Sequence, residues 1–520
     1  MVTVSHSRHM SLLHAFRRST QPKQHTQRPL SLREKAVLNC LIVQLIWTSW
    51  AFGGIRLIPL YGVTILSLIG FLWLWIPLPR TSGLFRRENS SPPENLRRLL
   101  RFPLFWLGLL LIAYMGFQAY NTADRYVSLQ NFFFLEPLAY LKWLPSSVDA
   151  PVEQMNTWRL MMMLGANWLA VCTLWVGLRR RHAMLCLLWV VVINATLVAL
   201  IAMLQSMLQS DKLLWFFEKP LQQIWGPFLY TNHGAAFLNI GLIGVLGLLF
   251  HYLQRGRSFN TNTGLGLLLG IMAVILGSSV VMSYSRGGIL ILAAIGGLFL
   301  LLFLIMLLRF GNIGTQFLPG IIIALMLLSL SILLYSNVNK DLIEDDFADL
   351  RQSWAHIEDD YRYHLNQATW EMILDKKWLG WGAGSFRYYF ADYQKRYPLL
   401  RDAKRDGQAI TFYYAHNDGL QYLAEFGFWG GLLILLNLLY WLFTFFCSIR
   451  QIRFSHAMLL FGAGLIFIHS LVDFIFYNPA ILITLTLLVA CAAKLLQRKR
   501  QLILRDATIR NKTDKLSSHI

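Results

Sequence analysis

The chain has 520 residues, of which 56% are hydrophobic, 14% aromatic and only 14% charged, a balance that one water-soluble core cannot hide. The formal net charge of +20 sits in short cationic runs between apolar segments, not in one basic domain with interleaved aromatics, so a nucleic-acid partner is excluded and a membrane is expected. Cys40, Cys172, Cys186, Cys447 and Cys491 all fall inside apolar segments without ligand spacing, so no disulfide framework, metal site or cofactor is expected.

Residues 1–35 carry Arg8, Arg17, Arg18, Lys23, Arg28, Arg33 and Lys35 without a small-residue cleavage site, and read as a retained basic cytoplasmic tail. Apolar runs of about 18 to 25 residues, enough to cross the hydrocarbon core as helices, follow near 36–53, 57–76, 103–120, 158–178, 183–205 and 233–253. Further runs lie near 264–283, 287–308, 317–336, 418–447, 457–474 and 477–495. The expected fold is an all-α polytopic membrane protein with about twelve transmembrane helices. Spans one to nine occupy 36–335, a large loop 336–416, spans ten to twelve 417–495, and a second basic tail 496–520. The first two and the last two spans are joined by very short turns and could instead be re-entrant pairs.

Lys and Arg in short loops are retained on the cytoplasmic side. With the N-terminus inside, Arg86, Arg87, Arg97, Arg98 and Arg101 face the cytoplasm, as do Arg179 to Arg181, Arg255, Arg257, Arg309, Arg450, Arg453 and Arg498 to Arg500. Segments 121–157, 206–232 and 336–416 then lie outside, and both termini inside. The last outer loop is rich in charged and aromatic residues and reads as a folded cap. It holds an expected helix over 365–377 and a glycine-rich turn at Gly380, Gly382 and Gly384. Asp345-Asp346 and Asp359-Asp360 read as solvated loop charge, with cation binding as the alternative.

Several residues break membrane rules. Arg286, in Ser283-Tyr284-Ser285-Arg286-Gly287-Gly288, is a cation on an outer connection; it is either an interfacial side chain snorkelling to headgroups or a ligand-binding group. Asn417, Gln421 and Glu425 recur at i, i+4 and i+8, a polar stripe that must face a wet cavity or other polar groups. His416 opens that helix at the water interface, where an imidazole can accept a proton, although most such histidines are incidental. His469 and Asp473 are spaced i, i+4, and Asn232 and His233 open a span from the outside; packing and chemistry account equally for such groups.

These residues carry a resemblance. The chain resembles the O-antigen ligase and polymerase family of bacterial envelope glycosyltransferases, which implies a GT-C-like fold with a large, partly helical periplasmic loop before the tenth span. Ser283 to Gly287 looks like the family's Ser-x-Ser-Arg-Gly element, and His416-Asn417 with Gly427 and Gly430 like its His-Asn-(nine residues)-Gly pattern. Arg362 to Asn366, then Trp370 to Gly382, looks like its loop helix and glycine turn. Asn366 stands where tryptophan is common and Lys377 where proline is common, so Arg351 and Arg387 remain alternatives to Arg362. Membership implies a donor glycan on undecaprenyl diphosphate and an acceptor hydroxyl on lipid A core, a polysaccharide chain or a protein. It also implies location in the bacterial inner membrane with the active face periplasmic, inversion at the anomeric carbon and no required metal. The implied roles are His416 as base, Arg286 and Arg362 on the diphosphate, and Asn417, Arg387, Asn232, His233, Gln421 and Asp473 as substrate contacts. The rival from another class is a lipid-linked oligosaccharide flippase, which should carry cavity charges along several spans and at both faces.

Overall fold

The computed structural model describes residues 29–77, 91–129, 132–209, 212–218, 224–254, 259–310, 360–405 and 408–517. In chain order its main helices are α1 (Leu32–Trp50), α2 (Leu57–Leu72), α3 (Pro92–Leu100), α4 (Pro103–Tyr120), α5 (Thr157–Gly177), α6 (Arg181–Met207) and α7 (Thr231–Leu253). They continue as α8 (Phe259–Met282), α9 (Arg286–Phe310), α10 (Tyr361–Asp375), α11 (Phe386–Gln394), α12 (Asp418–Phe446), α13 (Phe454–His469) and α14 (Pro479–Ser517). Their starts follow local chemistry. Ser31 accepts from Glu34 N (3.2 Å), Asn156 from Arg159 N (2.9 Å) and Asn417 from Leu420 N (3.1 Å), while proline occupies the first turns of α3 and α4.

Among the described residues eight helices are long and apolar enough to cross a membrane: α4 to α9, α12 and α14. This is a mostly helical, multi-pass membrane protein. Every other expected span has a helix at its place except 317–336, which lies outside the described residues together with Asp345, Asp346, Arg351 and Asp359. α2 and α13 have only 16 residues each, about 24 Å, because the chain leaves helical geometry before α2 and after α13. Those two irregular segments meet: a Cβ on Gly53, at φ +69°, would lie 2.5 Å from Asn478 Nδ2. Irregular backbone at such a depth survives only where protein groups satisfy it.

The bundle is organised around α7, whose residues from His233 to Phe250 are all buried. Small residues allow this. A Cβ on Gly241 would lie 2.4 Å from Ala195 Cβ of α6, and one on Gly247 would lie 2.6 Å from Leu459 of α13, so neighbouring helices approach to backbone contact. Asn239, fully buried, donates to Gly288 O of α9 at 2.9 Å. At one end of the bundle cations cap helix C-termini. Lys494 of α14 donates to Leu174 O and Trp175 O of α5, Arg498 donates to Arg179 O (3.0 Å), and Glu34 accepts from Arg179 N and Arg180 N.

At the other end lies a cap. Three strands, β1 (Thr122–Leu129), β2 (Phe132–Pro137) and β3 (Ser147–Asp149), form a sheet in the order β2-β1-β3, with β1 antiparallel to β2 and parallel to β3. This sheet stands where sequence reading expected only a loop. Val148, Leu365, Met372, Phe386, Phe390 and Leu400 share one small core, so the cap is built jointly by segment 122–157 and the long loop. α10 begins at Tyr361, four residues before its expected start, because Asp360 accepts from Arg362 N at 2.8 Å and caps it.

Candidate active site

Helices α7, α9, α10 and α12 bring their N-terminal ends to the same region, at the end of the bundle opposite the cationic layer. The hub is Asp473, in the irregular link between α13 and α14 and only 2% exposed. One carboxylate oxygen, Oδ1, accepts from Phe474 N (2.8 Å) and lies 3.3 Å from His416 Nδ1. The other, Oδ2, accepts from Asn232 Nδ2 and from the Tyr230 hydroxyl (3.4 Å). Asn232 Oδ1 accepts in turn from Ser285 Oγ at 2.7 Å, and Ser285 directly precedes Arg286. A chain of three side-chain contacts therefore joins the Ser-Arg-Gly element of α9 to His416 of α12. The two elements stand 130 residues apart in sequence and are joined through Asn232 and Asp473.

The His416–Asp473 contact is an ion-pair approach without full hydrogen-bond alignment. Burial pushes the Asp473 carboxyl up, but His416 beside it, with His469 and His233 further off, outweighs this and holds it below the usual carboxylate range. Edge-on rings fix the imidazole: Phe474 stands 4.9 Å away at 82° and Tyr361 6.3 Å away at 89°. His416 has φ +49° and Tyr284 φ +54°, so both elements enter their helices through a left-handed residue that is not glycine. Such a conformation costs about 1–3 kcal/mol and persists only where neighbours over-determine it.

Arg362 lies on the first turn of α10, where its Nε donates to the Tyr361 hydroxyl at 3.2 Å. Burial would lower its pKa, but Tyr361, Asp473 and Tyr230 raise it on balance, so its charge faces the same carboxylate as His416. Arg286 is the first residue of α9 and is exposed. A Cβ on Gly287, beside it, would meet His469 Nε2 at 2.6 Å, so this glycine lets α9 rest on α13. Arg387 stands on the other side of an aromatic wall. Its guanidinium lies over the Tyr413 ring (4.6 Å) and beside the Tyr414 hydroxyl (3.5 Å), and Tyr414 stacks on Phe474 at 4.2 Å. His233 Nε2 meets Phe474 O at 3.1 Å, which ties α7 to the Asp473 link.

The polar stripe of α12 meets other protein groups. Asn417 is spent on capping, and Gln421 accepts from Ala415 N (2.9 Å) and donates to Glu425 (3.3 Å). Glu425, fully buried, accepts from Gly384 N (2.7 Å) and from the Tyr477 hydroxyl (2.8 Å). The stripe thus latches the glycine turn to α12. Trp381 N donates to Ala424 O and Gly382 N to Glu425 O, both at 2.9 Å, where Gly427 interrupts the helix at φ +62°, ψ −168°. Backbone lies on backbone here: a Cβ on Gly427 would sit 2.4 Å from Gly380 N. Among the described residues no group of three or more His, Cys, Asp or Glu side chains is arranged to hold a metal ion.

Residues 271–435 match a family model described as O-antigen ligase. This stretch is similar to the O-antigen ligase domain. It covers about a third of the chain and contains Arg286, Arg362, Arg387, His416, Asn417 and Gln421. The fold adds Asn232, His233 and Asp473 to that domain from outside its bounds. In general terms the domain belongs to glycosyltransferases of the O-antigen ligase and polymerase type, which use lipid-linked glycans and polysaccharide or lipid A acceptors. Among curated proteins none matches the chain. Sequence reasoning missed Tyr230, Ser285 Oγ, Tyr361 and Phe474 as parts of the site. Nothing in their spacing marks them, because aromatic and hydroxyl residues abound in this chain and only the fold selects these.

Proposed function

We propose that the protein transfers a glycan from undecaprenyl diphosphate to an acceptor hydroxyl at the periplasmic face, with inversion at the anomeric carbon. The observation that supports this reading is the side-chain chain from Ser285 through Asn232 and Asp473 to His416, which links an imidazole to the arginine-bearing turn of α9. Asp473 at Nδ1 holds the imidazole so that Nε2 meets the substrate, the arrangement by which a buried carboxylate orients a general base. The acceptor oxygen attacks the anomeric carbon and its proton passes to Nε2. The bond from that carbon to the diphosphate oxygen breaks on the opposite face, and undecaprenyl diphosphate leaves with the bonding pair. Arg286 and Arg362 meet the charge that grows on the departing oxygen, because a guanidinium fork holds two phosphate oxygens and stays charged at any working pH. The N-terminal ends of α7, α9, α10 and α12 add positive field to the same place.

Purified protein in liposomes, given an undecaprenyl-diphosphate glycan and lipid A core, a polysaccharide chain end or a hydroxyl peptide in separate reactions, should form a new glycosidic bond with one of them. Movement of the donor across the bilayer with no new bond would overturn the transferase reading and favour a flippase.

A further inference from the structure

The exposed side of α10 carries a feature the reaction above does not use. Tyr363, Asn366, Gln367, Trp370 and Glu371 recur at i, i+3, i+4, i+7 and i+8, so they share one face of the helix. With Tyr397 and Leu420 they line an open groove of about 480 Å³, inside the roughly 300–1,000 Å³ range of small-ligand sites. It begins one residue from Arg362 and is bordered by Leu420 in the first turn of α12, four residues beyond His416, so the two elements that carry those side chains also carry the groove. Trp370 is 50% exposed, which leaves an indole face open to the groove. Asn366 Oδ1 is buried without a hydrogen-bond donor among the described residues, and Glu371 accepts from the Tyr397 hydroxyl at 2.7 Å.

This lining selects by chemistry. Glu371 is already paired with Arg396 (3.2 Å), and two amides beside that carboxylate disfavour an acyl chain. A ligand with apolar ring faces for Trp370 and Tyr363, and hydroxyls for the Gln367 amide and the Glu371 carboxylate, suits it. We propose that the groove holds a saccharide segment of the glycan that reacts beside His416. The inference rests on the transferase reading and extends it to the sugars beyond the reacting one. Because the groove is open, it suits a chain passing through better than a single enclosed sugar.

The full-length protein in proteoliposomes is compared with Trp370→Ala and Gln367→Ala, the second being a small change at an exposed position should the first disturb folding. Donors carry one sugar or several repeats, and acceptors are short or long. The parent should prefer the longer glycan in kcat/KM on one substrate. Trp370→Ala should cut that preference about two- to tenfold, the fold-change of one aromatic contact. A preference on the donor side assigns the groove to the donor chain, and one on the acceptor side to the acceptor. A parent with no length preference, or variants that both retain the parent's, would overturn the proposal. Saccharide freed from its lipid should also show saturation-transfer NMR signals with His416→Ala protein, weakened by adding Trp370→Ala; signals equal in both proteins, or none, would count against the groove. Saccharide binding without transfer from any donor would sink the transferase reading alone, whereas transfer indifferent to glycan length would sink the groove alone.

Discussion

At the residue scale the site turns on His416, and its environment sets what each substitution should do. His416→Ala should lower transfer by about 10²- to 10⁴-fold, the usual worth of a positioned base, while the protein remains in the membrane. Undiminished transfer would remove the assignment. Arg286→Lys keeps the charge but loses the planar fork, so transfer should fall about tenfold or more; an unchanged rate would mean that a point charge suffices. Asp473 yields a prediction about stability. Its carboxyl is held below the ordinary range in the folded protein, so it binds fewer protons there than in the unfolded chain. The stability it contributes is therefore full above the ordinary carboxylate pKa of about 3.9 and is lost as pH falls through that value toward the depressed one. The gap in melting temperature between the parent and Asp473→Asn should close as pH falls below about 4. A gap that widened with acid would contradict the sign.

At the element scale the interruption of α12 matters more than its length. Gly427 sits in a backbone region open essentially to glycine alone, and the glycine turn at Gly380 lies directly on it. Gly427→Ala should destabilise the protein by about 2–5 kcal/mol, combining backbone strain with a backbone clash, and should loosen the cap carrying Arg362 and Arg387. Thermal unfolding in detergent gives the first effect, and faster proteolysis within 360–415 gives the second. The same lock explains why α12 can carry Glu425 inside a membrane helix. That carboxylate is surrounded by Gly384 N, Phe386 N, Gln421 and the Tyr477 hydroxyl and never needs water.

At the scale of the whole molecule, the α14 cations that cap α5 lie at one end, and His416, Asp473 and the cap at the other. We propose, from positive-inside sorting of such a molecule, that the site faces away from the cytoplasm. An impermeant thiol reagent applied to intact spheroplasts should label Gln367→Cys and spare Arg450→Cys, measured against the native cysteines, which are at most half-exposed. The reverse pattern would invert the topology and place the chemistry on the wrong side for a periplasmic acceptor.

The apolar runs by themselves determined which segments become membrane helices, because transfer into lipid is decided residue by residue along a helix that satisfies its own backbone. Sequence also marked Arg286, His416 and Asp473, since a charge or imidazole near lipid is conspicuous wherever it stands. It did not reveal the sheet at 122–149, whose partners are the glycine turn and α11, nor the duties of Gln421 and Glu425, which bind backbone from the cap. Only the tertiary structure decided that Asn232, Ser285, Asp473 and His416 touch. Contacts between residues so far apart depend on how the helices pack around α7, and packing is a property of side-chain shapes meeting across the bundle, which no local stretch of sequence contains.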